Sequence, residues 1–79
     1  MIRAFLSYKG KLSIEDKLKL YNLLRDAGFE PISESISINK DSTWEVIYFI
    51  TSMNDQENTK RLLDKLIKDS QLEVKIDLK

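Results

Sequence analysis

The side chains best suited to chemistry in this sequence are carboxylates, serines, lysines and tyrosines, because it contains neither cysteine nor histidine. Without histidine there is no base titrating near neutrality, no imidazole ligand for zinc and no middle member of a serine triad. Without cysteine there is no thiolate nucleophile, no thiolate metal site and no disulfide scaffold. The remaining candidates are few. Ser33, Ser35 and Ser37 recur every second residue, so a strand presents all three on one face, toward a ligand or toward water. Tyr8-Lys9-Gly10-Lys11 sets two lysines around a glycine ahead of a helix start, an arrangement that suits a phosphate but lacks the spacing of any P-loop. Glu34 shares the parity of Ile32, Ile36 and Ile38, so its charge turns inward on a strand; that reads as a guard against edge pairing, with no second acid assignable beside it. No metal ligand set, cofactor motif or catalytic constellation emerges, and the chain reads as a non-enzyme that needs neither metal nor cofactor.

The elements that carry these residues follow from periodicity. Ile2, Ala4, Leu6 and Tyr8 alternate with Arg3, Phe5 and Ser7, which predicts a strand. Gly10 ends it, and Ser13 with Asp16 opens a helix along which Ile14, Leu18, Tyr21 and Leu24 recur at helical spacing. Gly28 stands where a left-handed cap closes that helix. Phe29 to Ile38 is a second strand, placed at a sheet edge by Pro31, which cannot donate to a ladder. Asn39-Lys40-Asp41-Ser42 is turn chemistry, and Thr43 to Thr51 follows with the unbroken apolar run Val46-Ile47-Tyr48-Phe49-Ile50 of a central strand. Pairing Ile38 with Trp44, Ile36 with Val46 and Ile32 with Ile50 gathers large apolar residues on one face and sets the expected hairpin register. Asn54 with Glu57 resembles a second capping box, followed by a stripe of Leu62, Leu63, Leu66 and Ile67, with Glu57 and Arg61, and Asp64 and Lys68, as surface pairs. Leu72, Val74, Ile76 and Leu78 alternate with charged residues in a last strand that has one wet face.

The order β-α-β-β-α-β in a single domain spanning 1–79 predicts a ferredoxin-like α+β sandwich, a four-stranded antiparallel sheet with both helices on one face. The first and third strands are then central. The expected register leaves Phe5, Ile47 and Phe49 on the face without helices and sends Trp44 and Tyr48 beneath them. Together with Arg3 and Ser35, these three form the candidate partner-binding surface, suited to a second copy of the chain or to another protein.

Ala4-Phe5-Leu6-Ser7-Tyr8 and Val46-Ile47-Tyr48-Phe49-Ile50 occupy the places of the two signature strands of the RNA recognition motif, which the chain resembles in topology over most of its length. That resemblance implies a nucleic-acid platform on the same face, assisted by Arg3, Lys9 and Lys75. Where the family carries a basic residue, a glycine and paired aromatics, this strand has Glu45, Ile47 and Phe49. Phe5-Leu6-Ser7-Tyr8-Lys9-Gly10, an amphipathic helix and Ala27-Gly28-Phe29-Glu30 resemble the opening of a TIR domain, and the likeness stops at Glu30. A third comparison is with the small CRISPR adaptation nucleases, ferredoxin-like dimers in which an acid ends the first strand; here Ser7 and Tyr8 stand there, so the defining oxygen ligand of a metal site is missing.

Composition narrows the partners further. Thirteen basic and thirteen acidic residues cancel, so no whole-molecule field draws the chain to nucleic acid or to an anionic membrane. No apolar run approaches the roughly 20 residues that span a bilayer, and the start lacks a signal-peptide core, which together with the absence of cysteine points to the cytoplasm. The expectation is a small non-enzymatic binding or assembly module that dimerises or docks a protein partner through the open sheet face, with nucleic-acid binding as the alternative.

Overall fold

A computed structural model describes residues 1–79. Its elements are β1 (Ile2–Lys9), α1 (Ile14–Asp26), β2 (Phe29–Asn39), β3 (Ser42–Thr51), α2 (Gln56–Ser70) and β4 (Val74–Leu78). The strands form one antiparallel sheet in the order β2-β3-β1-β4, with the two central and two edge strands expected from the sequence. The β-α-β-β-α-β ferredoxin-like sandwich is therefore the fold. No helix is long and apolar enough to cross a membrane.

Local signals explain most of the boundaries. Ser13 caps α1 by accepting a hydrogen bond from the Asp16 N–H, and Gly28 (φ 91°) takes the left-handed conformation just past the helix end. At α2 the cap is Asp55, one residue beyond the expected Asn54. Its carboxylate accepts from both the backbone N–H and the side-chain amide of Asn58, while Asn54 lies outside the helix and accepts from the N-terminal ammonium. Glu57 and Arg61 pair as expected, whereas Asp64 pairs backward with Lys60 rather than forward with Lys68.

The core comprises Ala4 and Leu6 of β1, Ile47 and Phe49 of β3, Phe29 of β2, Leu12, Leu20 and Leu24 around α1, and Leu63 and Ile67 of α2. Two expectations fail here. The inward stripe of α1 runs through Leu20 and Leu24, while Ile14 and Leu18 are exposed. Burying Leu20 with Leu24 one turn later leaves the residues on the flank of the helix in water.

The second failure concerns the β2–β3 hairpin. Asn39 pairs with Ser42, so the connection is only Lys40-Asp41, with Lys40 at φ 50°; Ile38 then faces Thr43, Ile36 faces Glu45 and Ser35 faces Val46. The ladder is one residue out of the expected register, and a one-residue slip sends every side chain to the opposite face. Ile47 and Phe49, expected on the open face, lie under the helices at 1% and 0% exposure, while Trp44, Val46, Tyr48 and Ile50 turn outward. A bulge between Pro31 and Ser33 restores the parity of the remainder of β2, so Phe29 is buried and Glu34 still points to the helical side.

Candidate binding surface

The open face is built chiefly by β1 and β3. Phe5 of β1 is directly opposite Tyr48 of β3, and their rings stack with centroids 4.7 Å apart and planes within 6°. Trp44, Val46 and Ile50 continue this band along β3, all half-buried by one another rather than by a helix. Cations border it. Lys79 lies 5.5 Å from the centre of the Phe5 ring and Lys75 lies 4.9 Å from that of Trp44, each near enough for the ring quadrupole to attract the ammonium. Arg3 and Lys9 share the parity of Phe5 on β1, and two acids stand on the same face, Asp77 opposite Phe5 on β4 and Glu30 opposite Ile50 on β2. At the hairpin end a shallow groove of about 430 Å³ crosses this face, lined by Ser7, Ser37, Trp44, Val46, Lys75 and Asp77.

The residues singled out from the sequence thus divide. Phe5, Arg3 and Ser35 are on the open face; Ile47 and Phe49 are core residues and cannot touch a partner without unfolding. Trp44 and Tyr48 take their places. An unbroken apolar run hides this outcome, because both parities of Val46 to Ile50 are hydrophobic and only the turn length decides between them. Exchanging Ile47 and Phe49 for Trp44 and Tyr48 makes the surface more aromatic.

The same flip buries Glu45, the acid of β3 that the expected register placed on the open face. It is 3% exposed and sits between layers, where its carboxylate accepts from the Leu12 N–H (2.9 Å) and meets the Lys17 ammonium (2.8 Å). Lys17 also reaches Glu34 at 2.8 Å, so one ammonium on α1 bridges two carboxylates on β2 and β3. Burial pushes the Glu45 carboxyl upward, but the hydrogen bonds from Lys17 and Leu12 outweigh it and hold the group below the ordinary carboxylate value. Lys17 is raised well above the usual lysine value by its bonds to Glu34 and then Glu45. Tyr21 beside them is pushed up to about 12, first by burial and then by the Glu34 charge. Glu45, Lys17 and Tyr21 are each held in the form they have at neutral pH, as in a structural clamp that ties α1 to β2 and β3. Sequence reasoning missed it, although Lys17 falls three residues before Leu20 and seven before Leu24 on the inward side of α1, a position where a lysine needs an acidic partner. No group of three metal-ligating side chains converges anywhere in the fold.

The sequence matches no protein-family model and no curated protein. Solved structures do match in shape. An ACT domain protein from Streptococcus pneumoniae superposes with a TM-score of 0.61 at 12% identity, over 99% of this chain and 88% of that one. The C-terminal domain of the MgtC protein from Mycobacterium tuberculosis gives 0.60 at 6% identity, over 99% and 83%. A formyltetrahydrofolate deformylase from Burkholderia mallei gives 0.50 at 9% identity, where this chain covers 27% of the enzyme. At these identities the likeness establishes the fold.

Proposed function

We propose that this chain is a non-enzymatic binding module whose working surface is the open sheet face, and that its partner is a protein segment combining acidic with apolar side chains. The observation that carries this reading is the Phe5–Tyr48 stack, continuous with Trp44, Val46 and Ile50 and covered by no helix. Aromatic side chains are enriched where proteins meet proteins, since they offer large contact area for little ordering cost. Arg3, Lys9, Lys75 and Lys79 outnumber Asp77 and Glu30 around the band, which favours an acidic complement. The similarity to an ACT domain and to the C-terminal domain of MgtC agrees with a small ligand-binding or regulatory unit, as does the lack of histidine and cysteine for catalysis.

Titration of the labelled protein with a peptide alternating Asp with Phe or Leu tests the reading. Backbone amide shifts are expected to move around Phe5, Trp44 and Tyr48, and to stay still in Tyr48→Asp, whose half-buried side chain lies on the sheet face outside the core, so that an unchanged circular dichroism spectrum shows the fold is kept. Shifts centred on the helical layer, or none, would refute it. One observation favours a second reading, single-stranded nucleic acid: Glu45 is turned away from the platform, which leaves Asp77 and Glu30 there against Arg3, Lys9, Lys75 and Lys79. A steep loss of oligonucleotide binding with salt, together with indifference to the peptide, would replace the first reading with the second.

A further inference from the structure

The large apolar side chains that this fold leaves in water gather around one border. Apart from Met1, they are Ile14 and Leu18 of α1 and Ile32, Ile36 and Ile38 of β2, between 48% and 78% exposed. β2 is an edge strand of 11 residues, and its outer row of backbone donors and acceptors has no partner. Beyond the bulge at Pro31, the stretch Ser33–Asn39 contains no proline, no lysine and no further register shift. These are the devices by which an edge strand normally repels another. The single charge on that stretch, Glu34, is the guard expected from the sequence, yet Lys17 draws it back toward α1 at 2.8 Å and offsets part of its charge, the ammonium being shared with Glu45. Ile14 and Leu18 flank Lys17, one turn apart on the same stripe of α1 as Tyr21 and Arg25, so apolar side chains lie on both sides of the Lys17–Glu34 pair.

We infer that β2 pairs with β2 of a second copy of this chain, antiparallel about a two-fold axis, to extend the sheet across the dimer. An antiparallel strand is complementary to itself, so one edge supplies both halves of the ladder. Because the unobstructed stretch Ser33–Asn39 is centred on Ile36, the longest ladder places Ile36 opposite Ile36 of the second copy and Ser35 opposite its Ser37. Ile36 and Ile38, which the helices of their own chain do not reach, are then covered by the helical layer of the other, with Ile14 and Leu18 facing them. In this register Glu34 stands opposite Ile38 of the second copy and not opposite its own counterpart, and Lys17 draws it toward α1, so the two carboxylates stay apart. This surface is distinct from the open face, which the paired sheets leave free on both copies.

Light scattering during size exclusion tests the inference on the wild type, Ile36→Lys and Tyr48→Asp. The expected result is a dimeric wild type, a monomeric Ile36→Lys with unchanged circular dichroism, and a dimeric Tyr48→Asp. Because the chain has no cysteine, Ile36→Cys is expected to join to itself under mild oxidation, while Glu73→Cys, exposed beside the opposite edge, does not. A wild type that stays monomeric at every concentration, or a dimer that survives Ile36→Lys and dissociates in Tyr48→Asp, would overturn it.

Discussion

Replacing Lys17 by methionine keeps the length and the apolar stem of the side chain and removes only the ammonium that joins α1 to β2 and β3. Glu45, 3% exposed, is left with the Leu12 N–H as its sole partner. Removing one member of a fully buried ion pair costs about 3–5 kcal/mol. Lys17 is 24% exposed and Glu34 is 40% exposed, so water reaches the cluster from the β2 side and screens part of that loss. A destabilisation of about 2–3 kcal/mol follows, against a total of roughly 4–12 kcal/mol for a domain of this size, and the melting temperature should fall by about 10–20 °C. The pH dependence gives an independent check on sign. Glu45 has a folded pKa below its ordinary 4.5, so its contribution is present above that value and is lost as pH falls through the folded one. Lys17 is raised above 10.5, so its contribution is complete below that value and is lost as pH rises through the folded one. The wild-type clamp is therefore intact between these limits. In Lys17→Met, burial of Glu45 is no longer opposed by the ammonium, its folded pKa moves above the unfolded one, and the sign reverses: the variant recovers stability as pH falls. Urea unfolding followed by circular dichroism and Trp44 fluorescence at about pH 7 and about pH 5 measures both effects, and the deficit should be smaller at the lower pH. A deficit below about 0.5 kcal/mol at neutral pH, or one that grows on acidification, would show that the cluster is solvated and contributes no clamp.

Three further substitutions probe the sheet and the α2 cap. Phe49→Ala should cost about 3–5 kcal/mol by opening a core cavity, whereas Tyr48→Ala should cost only about 1 kcal/mol through the lost Phe5 stack; urea midpoints in the reverse order would mean that β3 shows its faces the other way round. Asp55→Ala removes the acceptor of two Asn58 hydrogen bonds and should lower stability by about 1–2 kcal/mol, read as a lower thermal midpoint; no change would mean the α2 cap is replaced by water.

The element order, the strand order and the edge position of β2 were all legible in the sequence, because β1, β4 and the Gly28 cap each carry an unambiguous local signal. β3 did not, and the reason is physical. Val46 to Ile50 is apolar at both parities, so its orientation is set by the length of the preceding turn. Collecting Ile32, Ile36, Ile38 and Trp44 on one face favoured a long loop, but the backbone closes over Lys40-Asp41. The isoleucines that motivated that register are exposed, since α1 lies over Glu34 through Lys17 and does not extend over Ile36 and Ile38. Glu45 misled for a related reason: an acid in a strand normally marks the wet face, and its burial depends on a lysine on a different element, far away in sequence. The position of Phe5 and Arg3 on the open face was readable because β1 alternates cleanly, and the identity of their neighbours was not.

The backbone amides and carbonyls of Arg3 and Lys79 exchange hydrogen bonds of 2.9 and 2.8 Å, which sets the first strand against the last. A short peptide bridge between the two ends would therefore close into a tight reverse turn. Reopening the chain between Lys40 and Asp41 would give a circular permutant in which the most sequence-distant pairing becomes the most local one. The search entropy spent on that pairing would drop, and the β4–β1 hairpin would nucleate early, leaving β2 and β3 to zip together last.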